Sequence, residues 1–247
     1  MNPSASAPTP DGILLVDKPT DHTSHDVVAR IRGRFRLSKV GHGGTLDPAA
    51  TGLLVILLGR ATKLSGRVMG HDKAYEGVIR LGVETDTFDA QGGVVRCAPD
   101  EAMARVSFAD AAREMAAMHG DRFQTPPMVS ACKINGVPLY KLARKGEEVE
   151  RKPRLVHLYE FAALEGAAAW PDVAFRVRCT KGTYVRVLAD ELGRALGVGA
   201  HLLSLRRTAS GPFDVKEAVP LETLLASESL APYLMPVPDM LARLEAP

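Results

Sequence analysis

The sequence predicts an α+β protein with a mixed, largely antiparallel sheet flanked by helices. Short apolar runs typical of buried strands occur at residues 12–16, 53–58, 155–161 and 173–179, and amphipathic helical patterns occur at 107–118 and 184–196. Ser24 is expected to cap a further helix whose apolar face is Val27, Val28, Ile31 and Phe35, and residues 84–93 are expected to form a polar, turn-rich segment. These segments do not alternate as regular βαβ units, which favours antiparallel over parallel strands. The length of 247 residues is sufficient for one large domain with a well-buried core.

The chain is predicted to have three parts. Residues 1–11 form a disordered leader rich in Pro, Ser and Ala, residues 12–219 form the main domain, and residues 220–247 form a weakly helical tail. A mostly polar stretch at about 122–154 interrupts the main domain and contains the hairpin signal Asn135-Gly136 and a short helical patch around Leu139–Arg144. We call this stretch the insertion.

Composition excludes several classes of protein. No apolar run is long enough to span a bilayer, and the N-terminal residues lack the basic and apolar regions of a signal peptide. The three cysteines are widely spaced without a CxxC pair, so neither a disulfide framework nor a zinc site is expected. We therefore expect a cytoplasmic monomer with no membrane partner.

Positive charge is concentrated in the insertion. It carries eight basic and three acidic side chains, a net charge of +5, whereas the whole chain carries +2. Such a segment suits a polyanion such as RNA, although a solvated loop that promotes solubility would have the same composition. The nearby residues 176–186 add four basic side chains and no acid, which favours nucleic acid.

The most informative segment is the glycine-rich loop before the strand at 53–58. Gly41, Gly43 and Gly44 free the backbone, Asp47 follows, and Pro48 restricts the chain after it. A carboxylate on such a loop is well mounted as a nucleophile. A phosphate cradle is a weaker alternative because the Lys-Ser/Thr ending of a P-loop is absent. On the pattern alone, a simple Asp-Pro turn remains the more common explanation.

This loop resembles the nucleophile motif of the TruB family of tRNA pseudouridine synthases, G-H-x-G-x-L-D-P-x-A-T-G-x-L. Further segments resemble that family in the same order, namely 12–19, 73–75, 124–131, 181–186 and 199–207. The resemblance implies the pseudouridine synthase fold for residues 12–219 and isomerisation of uridine to pseudouridine at position 55 in the T loop of tRNA. It implies no cofactor, and the family's full C-terminal RNA-binding domain is expected to be absent after residue 247.

The resemblance also implies catalytic roles for three side chains. Asp47 would be the nucleophile, and Arg186 would pair with it and keep it ionised. Tyr75 would stack on the extruded base, with its hydroxyl taking part in proton transfer. Without the resemblance, Arg186 would be interpreted as a surface arginine and Tyr75 as a half-buried strand residue.

Further side chains are implied to bind the substrate. His42 would contact the flipped nucleotide, Lys18 would support the loop or bind a phosphate, and Tyr184 and Leu205 would form walls of the uracil pocket. The insertion would grip the T arm of tRNA. Its predicted contacts to the RNA backbone are Lys133, Lys141, Arg144, Lys145, Arg151 and Lys152.

Three alternatives remain open from the sequence. The chain could be a related synthase that acts on another structured RNA, a catalytically inactive RNA chaperone, or a magnesium-dependent phosphotransferase that uses the glycine loop. Asp86 and Asp89 resemble a metal-binding pair, but we expect a structural turn there and no metal site.

Overall fold

The computed structural model describes residues 9–130, 132–134, 136–143 and 145–246. In chain order the strands are β1 (Gly12–Lys18), β2 (Val40–His42), β3 (Thr51–Leu58), β4 (Lys73–Leu81), β5 (Val83–Thr85), β6 (Val94–Cys97), β7 (Gly120–Gln124), β8 (Lys133–Ile134), β9 (Val137–Pro138), β10 (Arg154–Ala163), β11 (Asp172–Cys179), β12 (Ala200–Ser210), β13 (Phe213–Asp214), β14 (Val219–Pro220) and β15 (Met235–Pro236). The α-helices are α1 (Ser24–Arg34), α2 (Ser65–Met69), α3 (Asp100–Met103), α4 (Phe108–Ala117), α5 (Leu139–Ala143), α6 (Val185–Ala195), α7 (Leu221–Ala226) and α8 (Val237–Glu245).

The chain forms two compact units. Unit 1 comprises Met1–Lys73 and Arg206–Pro247, and unit 2 comprises Ala74–Leu205. The predicted α+β class and the largely antiparallel sheet are confirmed. Within the described residues, every helix is too short or too polar to span a bilayer.

Unit 1 is built around β1 and β3, which pair antiparallel from Gly12 opposite Leu58 to Lys18 opposite Gly52. The strand order is β14-β1-β3-β12, with β2, β13 and β15 attached to its members. Both central strands are almost entirely apolar and buried, as their uninterrupted hydrophobic sequences predict. This rigid pair supports the glycine loop, which leads directly into β3.

Helix α1 begins one residue earlier than expected, with Thr23 rather than Ser24 as its N-cap. The Thr23 hydroxyl accepts a hydrogen bond from the Asp26 backbone N–H at 3.0 Å, and the Asp26 carboxylate accepts the Thr23 backbone N–H at 2.8 Å. This reciprocal capping box leaves the buried Ser24 side chain available for another contact. The predicted apolar face is confirmed at Val27, Val28 and Ile31.

The C-terminal residues are part of unit 1. Strand β15 pairs with β1, and Met240 and Leu244 of α8 lie in the same apolar core as Phe213. On the surface, Arg30 of α1 forms a 2.6 Å ion pair with Glu222 of α7. The weak helical pattern predicted for 220–247 therefore corresponds to two short helices that complete the core of this unit.

Unit 2 has the strand order β12-β4-β11-β10-β7, in which β10 pairs antiparallel with both neighbours. Buried residues of α4 and α6, including Met115 and Leu188, share one apolar core with Phe175 of β11. The strands predicted at 155–161 and 173–179 and the two helices are confirmed. One prediction is wrong: Glu84 was assigned to an irregular polar segment, but it lies in β5, which pairs with β6.

The insertion, residues 122–154, begins in the last residues of β7 and ends at Arg154, the first residue of β10, and residues 125–153 connect these two neighbouring strands. It contains the small hairpin β8–β9 and the short helix α5, close to the predicted helical patch at Leu139–Arg144. Leu139 is fully buried, whereas most of the other described side chains are at least partly exposed. Asn135 and Arg144 lie outside the described residues.

Candidate active site

Asp47 lies on the loop between β2 and β3 and is half-buried. Its backbone carbonyl accepts a hydrogen bond from the Ala50 N–H at 3.1 Å, and the Gly43 N–H donates to the Val55 carbonyl at 2.8 Å. A side chain at position 43 would overlap Val68, so the loop passes closely over the core. We call residues 43–50 the nucleophile loop, after the family motif that their sequence resembles, and its backbone is held at both ends.

Ser24 of α1 holds the residue immediately before Asp47. Its hydroxyl accepts the Leu46 backbone N–H at 2.9 Å and donates to the Leu46 carbonyl at 3.2 Å. One buried hydroxyl thereby satisfies both polar groups of Leu46, whose side chain is buried. The early start of α1 is what directs Ser24 into the loop.

Lys18 at the end of β1 holds the residue immediately after Asp47. The side chain is fully buried, and its ammonium donates to the carbonyls of Pro19 at 2.9 Å, His22 at 2.7 Å and Pro48 at 3.1 Å. Burial lowers the pKa of Lys18 to about 8, while the negative charge of Asp47 opposes that change. These contacts favour loop support over phosphate binding, the second role considered for Lys18.

Arg207 of β12 contributes to the same loop, a role that the sequence analysis did not assign. The side chain is almost fully buried, and its guanidinium donates to the carbonyls of Leu53 at 2.7 Å, Gly44 at 3.2 Å and Thr45 at 3.3 Å. Strand β12 shows no regular alternation of buried and exposed residues around position 207, so the strand pattern did not predict that this side chain is buried. These partners are more than 150 positions away in sequence, so local pattern could not reveal them.

His42 is half-buried at the start of the loop. Its ring packs edge-on against the His25 ring with centroids 5.2 Å apart, and its Nδ1 accepts the Gly44 backbone N–H at 3.4 Å. Burial, followed by the charges of His25 and Arg207, lowers the pKa of His42 to about 4. The imidazole is therefore neutral near pH 7 and can present only one further nitrogen to a ligand.

Arg186 lies in the first turn of α6 in unit 2 and is only 3% exposed. Its guanidinium donates to the carbonyls of Thr87 at 3.1 Å and Val129 at 2.9 Å and lies 3.5 Å from the Asp89 carboxylate. This burial excludes the alternative of a surface arginine. Its pairing with Asp47 stays a prediction.

Gln124 fixes the start of the helix that carries Arg186. It is 2% exposed, its side-chain oxygen accepts the Tyr184 backbone N–H at 2.7 Å, and its side-chain nitrogen donates to the Tyr184 carbonyl at 3.2 Å. Tyr184 is the N-cap residue of α6. Gln124 is thus a second positioning side chain. It lies in the segment 124–131 that resembles the family, but its sequence did not predict this role.

The remaining predicted pocket residues also lie in unit 2. Tyr75 on β4 and Leu205 on β12 are partly buried against the apolar core of that unit, and Tyr184 is half-buried. The structure therefore places Asp47, His42 and Lys18 in unit 1 and the four other pocket residues in unit 2.

The predicted RNA contacts of the insertion differ in their exposure. Lys141, Lys145 and Lys152 are exposed, as a backbone contact requires. Arg151 is half-buried, and its guanidinium donates to the Pro126 carbonyl and the Glu148 carboxylate, both at 3.3 Å. It lines a cavity of about 250 Å³ with Lys152 and Arg154, so its geometry favours a structural contribution. Arg144 and the side chain of Lys133 lie outside the described residues.

The aspartates resembling a metal pair take part in local hydrogen bonds. Asp86 accepts the Gly93 N–H at 2.9 Å, and Asp89 accepts the Thr87 hydroxyl at 2.6 Å and the Gln91 N–H at 3.1 Å. Across the part of the chain that the structure describes, no group of three or more potential ligands is placed to hold a metal ion. The turn interpretation agrees with these contacts.

Two family models together match residues 32–242. Residues 32–185 match the N-terminal domain of the TruB family pseudouridylate synthases, and residues 186–242 match the C-terminal domain of tRNA pseudouridylate synthase B. A tRNA pseudouridine synthase B from Opitutus terrae is 49% identical over 95% of this chain and 92% of its own length. The protein of the same name from Syntrophotalea carbinolica is 48% identical over 94% of this chain and 74% of its own length.

Two solved structures have a fold similar to that of this chain. A chain in the crystal structure of a Cbf5-Nop10-Gar1 complex superposes with a TM-score of 0.67 at 33% identity, covering 87% of this chain and 53% of that one. A chain in an H/ACA RNP bound to a substrate RNA containing 2'-deoxyuridine gives a TM-score of 0.64 at 30% identity. This chain spans about half the length of these two chains.

The fold and the two family-model matches together define a synthase of the pseudouridylate class. The chain belongs to the TruB family.

Proposed function

We propose that this chain isomerises uridine 55 in the T loop of tRNA, acting as a monomer with Asp47 as its nucleophile. The chain is an enzyme that converts uridine to pseudouridine in tRNA, given its family and the relatives at 49% and 48% identity. The position in tRNA, the T arm as binding site and the roles of individual residues are the parts that we propose.

The observation that supports the nucleophile most strongly is the way the loop holds Asp47. Leu46 is fixed by Ser24 and Pro48 by Lys18, so the residues on both sides of Asp47 are tied to buried side chains. Asp47 itself stays partly exposed. A simple turn aspartate would not require buried polar groups on both neighbours, whereas a nucleophile requires such preorganisation.

The reaction moves one bond within a single nucleotide. The N1–C1′ bond breaks, the uracil turns, and a C5–C1′ bond forms. C5 loses one proton and N1 gains one, so the product is an isomer of the substrate and nothing is oxidised or reduced. A carboxylate can hold the intermediate covalently between the two bond changes. The Asp47 carboxylate attracts the buried Lys18 ammonium and so opposes the lowering of the Lys18 pKa by burial.

The unit 2 residues would bind the extruded nucleotide. Tyr75 would stack on the uracil, which contributes roughly 1–3 kcal/mol per base, with Tyr184 and Leu205 as walls. Arg186 is already oriented by two backbone carbonyls, so little side-chain entropy is lost when it meets an anionic partner. His42 is neutral near pH 7 and its Nδ1 accepts the Gly44 N–H, so its Nε2–H would donate one hydrogen bond to the nucleotide.

The insertion would supply the grip on the T arm. Its exposed lysines can approach phosphates without displacing the core, and binding through phosphates is largely electrostatic. Because the insertion has few buried apolar residues, it can adjust to the shape of the RNA.

The test is to map pseudouridine on one transcribed, unmodified tRNA after incubation with the protein in EDTA. We expect a single modified site at position 55 and no modification of a matched transcript with cytidine there. Modification at another position would contradict the assignment of the site, and modification at several positions would contradict a single site in the T loop.

A further inference from the structure

The buried charged side chains in the described part of unit 1 all carry the same sign of charge. They are Lys18, Lys73 and Arg207, which are all cationic. Burying a guanidinium is costly unless hydrogen bonds compensate for the lost water. The hydrogen bonds of Arg207 in the described structure go to backbone carbonyls. Its placement therefore serves the backbone that it contacts.

The three contacts of Arg207 join the nucleophile loop to its neighbouring strand. The Nε atom donates to Leu53 near the start of β3, and the two terminal nitrogens donate to Gly44 and Thr45. A guanidinium is a planar fork that presents donors along several fixed directions. A lysine ammonium in the same position cannot reach all three carbonyls in that geometry.

The Gly44–Thr45 segment is where the loop most needs an external constraint. Ser24 fixes Leu46 and Lys18 fixes Pro48, but Gly43 and Gly44 have little intrinsic stiffness. Gly44 adopts φ of 135°, a conformation that other residues rarely adopt. Arg207 contacts this segment directly, two and three residues before Asp47.

We propose that Arg207 is a positioning residue, which sets the location of the Asp47 carboxylate by fastening the Gly44–Thr45 backbone to β3. The proposal rests on the proposed function, in which Asp47 is the nucleophile. Arg207 itself does not touch the substrate in this account. Its loss would let the loop shift, and a shift of about 1 Å in a reacting group can lower a rate by roughly 100-fold.

The experiment compares Arg207→Lys with the wild type in single-turnover pseudouridine formation at saturating enzyme. We expect a rate lower by roughly 100-fold, with a dissociation constant for tRNA within about twofold of the wild type, because only a transition-state requirement is removed. Met240→Ala is the matched control for lost stability, since Met240 is fully buried in the core of the same unit. It should lower the melting temperature and keep the wild-type rate below that temperature.

Several results would overturn the proposal. A wild-type rate for Arg207→Lys would do so, as would a loss that only matches the unfolded fraction seen by circular dichroism. If the lysine variant does not fold, Arg207→Gln replaces it, and failure of both to fold would assign Arg207 to the stability of unit 1 instead. Asp47→Ala is measured alongside: activity in that variant refutes the proposed function, whereas an inactive Asp47→Ala with a normal Arg207→Lys refutes this inference alone.

Discussion

The nucleophile loop and the insertion are both irregular segments next to a strand, but they are held very differently. Buried side chains from three elements hydrogen-bond the backbone of the loop: Ser24 of α1, Lys18 of β1 and Arg207 of β12. In the insertion, Lys141, Lys145 and Lys152 are exposed. Among its described apolar side chains, Leu139 is fully buried.

This difference corresponds to the two tasks that the proposed function requires. Bond rearrangement needs a carboxylate held within a fraction of an ångström, so polar groups are buried to fix the backbone around it. Binding a large polyanion needs reach and charge, and it tolerates adjustment of the protein surface. Changes in the loop should therefore alter rate or stability, whereas changes in the insertion should alter affinity.

The largest effect on stability is expected from Gly52→Ala, at the junction of the nucleophile loop and β3. Gly52 has φ of 94°, and a Cβ there would overlap the backbone carbonyl of Arg207. We expect a loss of about 3 kcal/mol in the free energy of unfolding, measured by urea denaturation, together with a lower single-turnover rate. Gly66→Ala is the control, because Gly66 lies in α2 with open space around it. Equal stability of the two variants would contradict the tight junction.

A large effect on tRNA affinity is expected when the charge of the insertion is reversed by Lys141→Glu, Lys145→Glu and Lys152→Glu together. We expect the dissociation constant for tRNA to rise by roughly 30- to 100-fold at low salt and its logarithmic salt dependence to fall by about 2 to 3. The single-turnover rate at saturating enzyme should stay unchanged.

A matched triple variant reverses the same number of exposed charges elsewhere, at Arg105, Arg113 and Lys216. If it weakened tRNA binding as strongly as the insertion variant, the effect would come from net charge alone. The insertion would then have no special part in the grip.

A smaller effect on the free energy of unfolding is expected at low pH, where His42 becomes protonated. Its pKa in the folded chain is lowered to about 4, below its unfolded value, so the unfolded chain binds more protons between these two values. Stability should therefore fall as the pH decreases from about 6.5 towards 4, by roughly 2 kcal/mol through this group. Urea denaturation of the wild type and His42→Asn across this range measures the difference, and parallel curves would contradict the buried neutral ring.

The sequence predicted the elements whose signal is local. The apolar runs of β1 and β3 and the amphipathic patterns of α4 and α6 depend on residues a few positions apart, and each was confirmed. The hairpin of β5 and β6 was missed because its strands are short, with polar Glu84 between Val83 and Thr85. The N-cap of α1 was displaced by one residue because Thr23 and Ser24 are both good capping residues.

The candidate site was predictable only in part. Asp47 was found through the family resemblance, since its Asp-Pro pattern alone favoured a turn. Arg207 and Gln124 were given no role, because their partners are 154 and 60 positions away in sequence. Long-range contacts of buried polar groups follow from the folded backbone and leave little trace in local patterns.

The most direct test of the central claim compares Asp47→Ala with the wild type on one unmodified tRNA. Pseudouridine formation in a single turnover, the dissociation constant for tRNA and the melting temperature are measured on the same preparations. Our account predicts no detectable product, with affinity and melting temperature close to those of the wild type, because Ser24, Lys18 and Arg207 hold the loop backbone before and after Asp47. Continued product formation by the variant, or loss of its fold, would contradict the account.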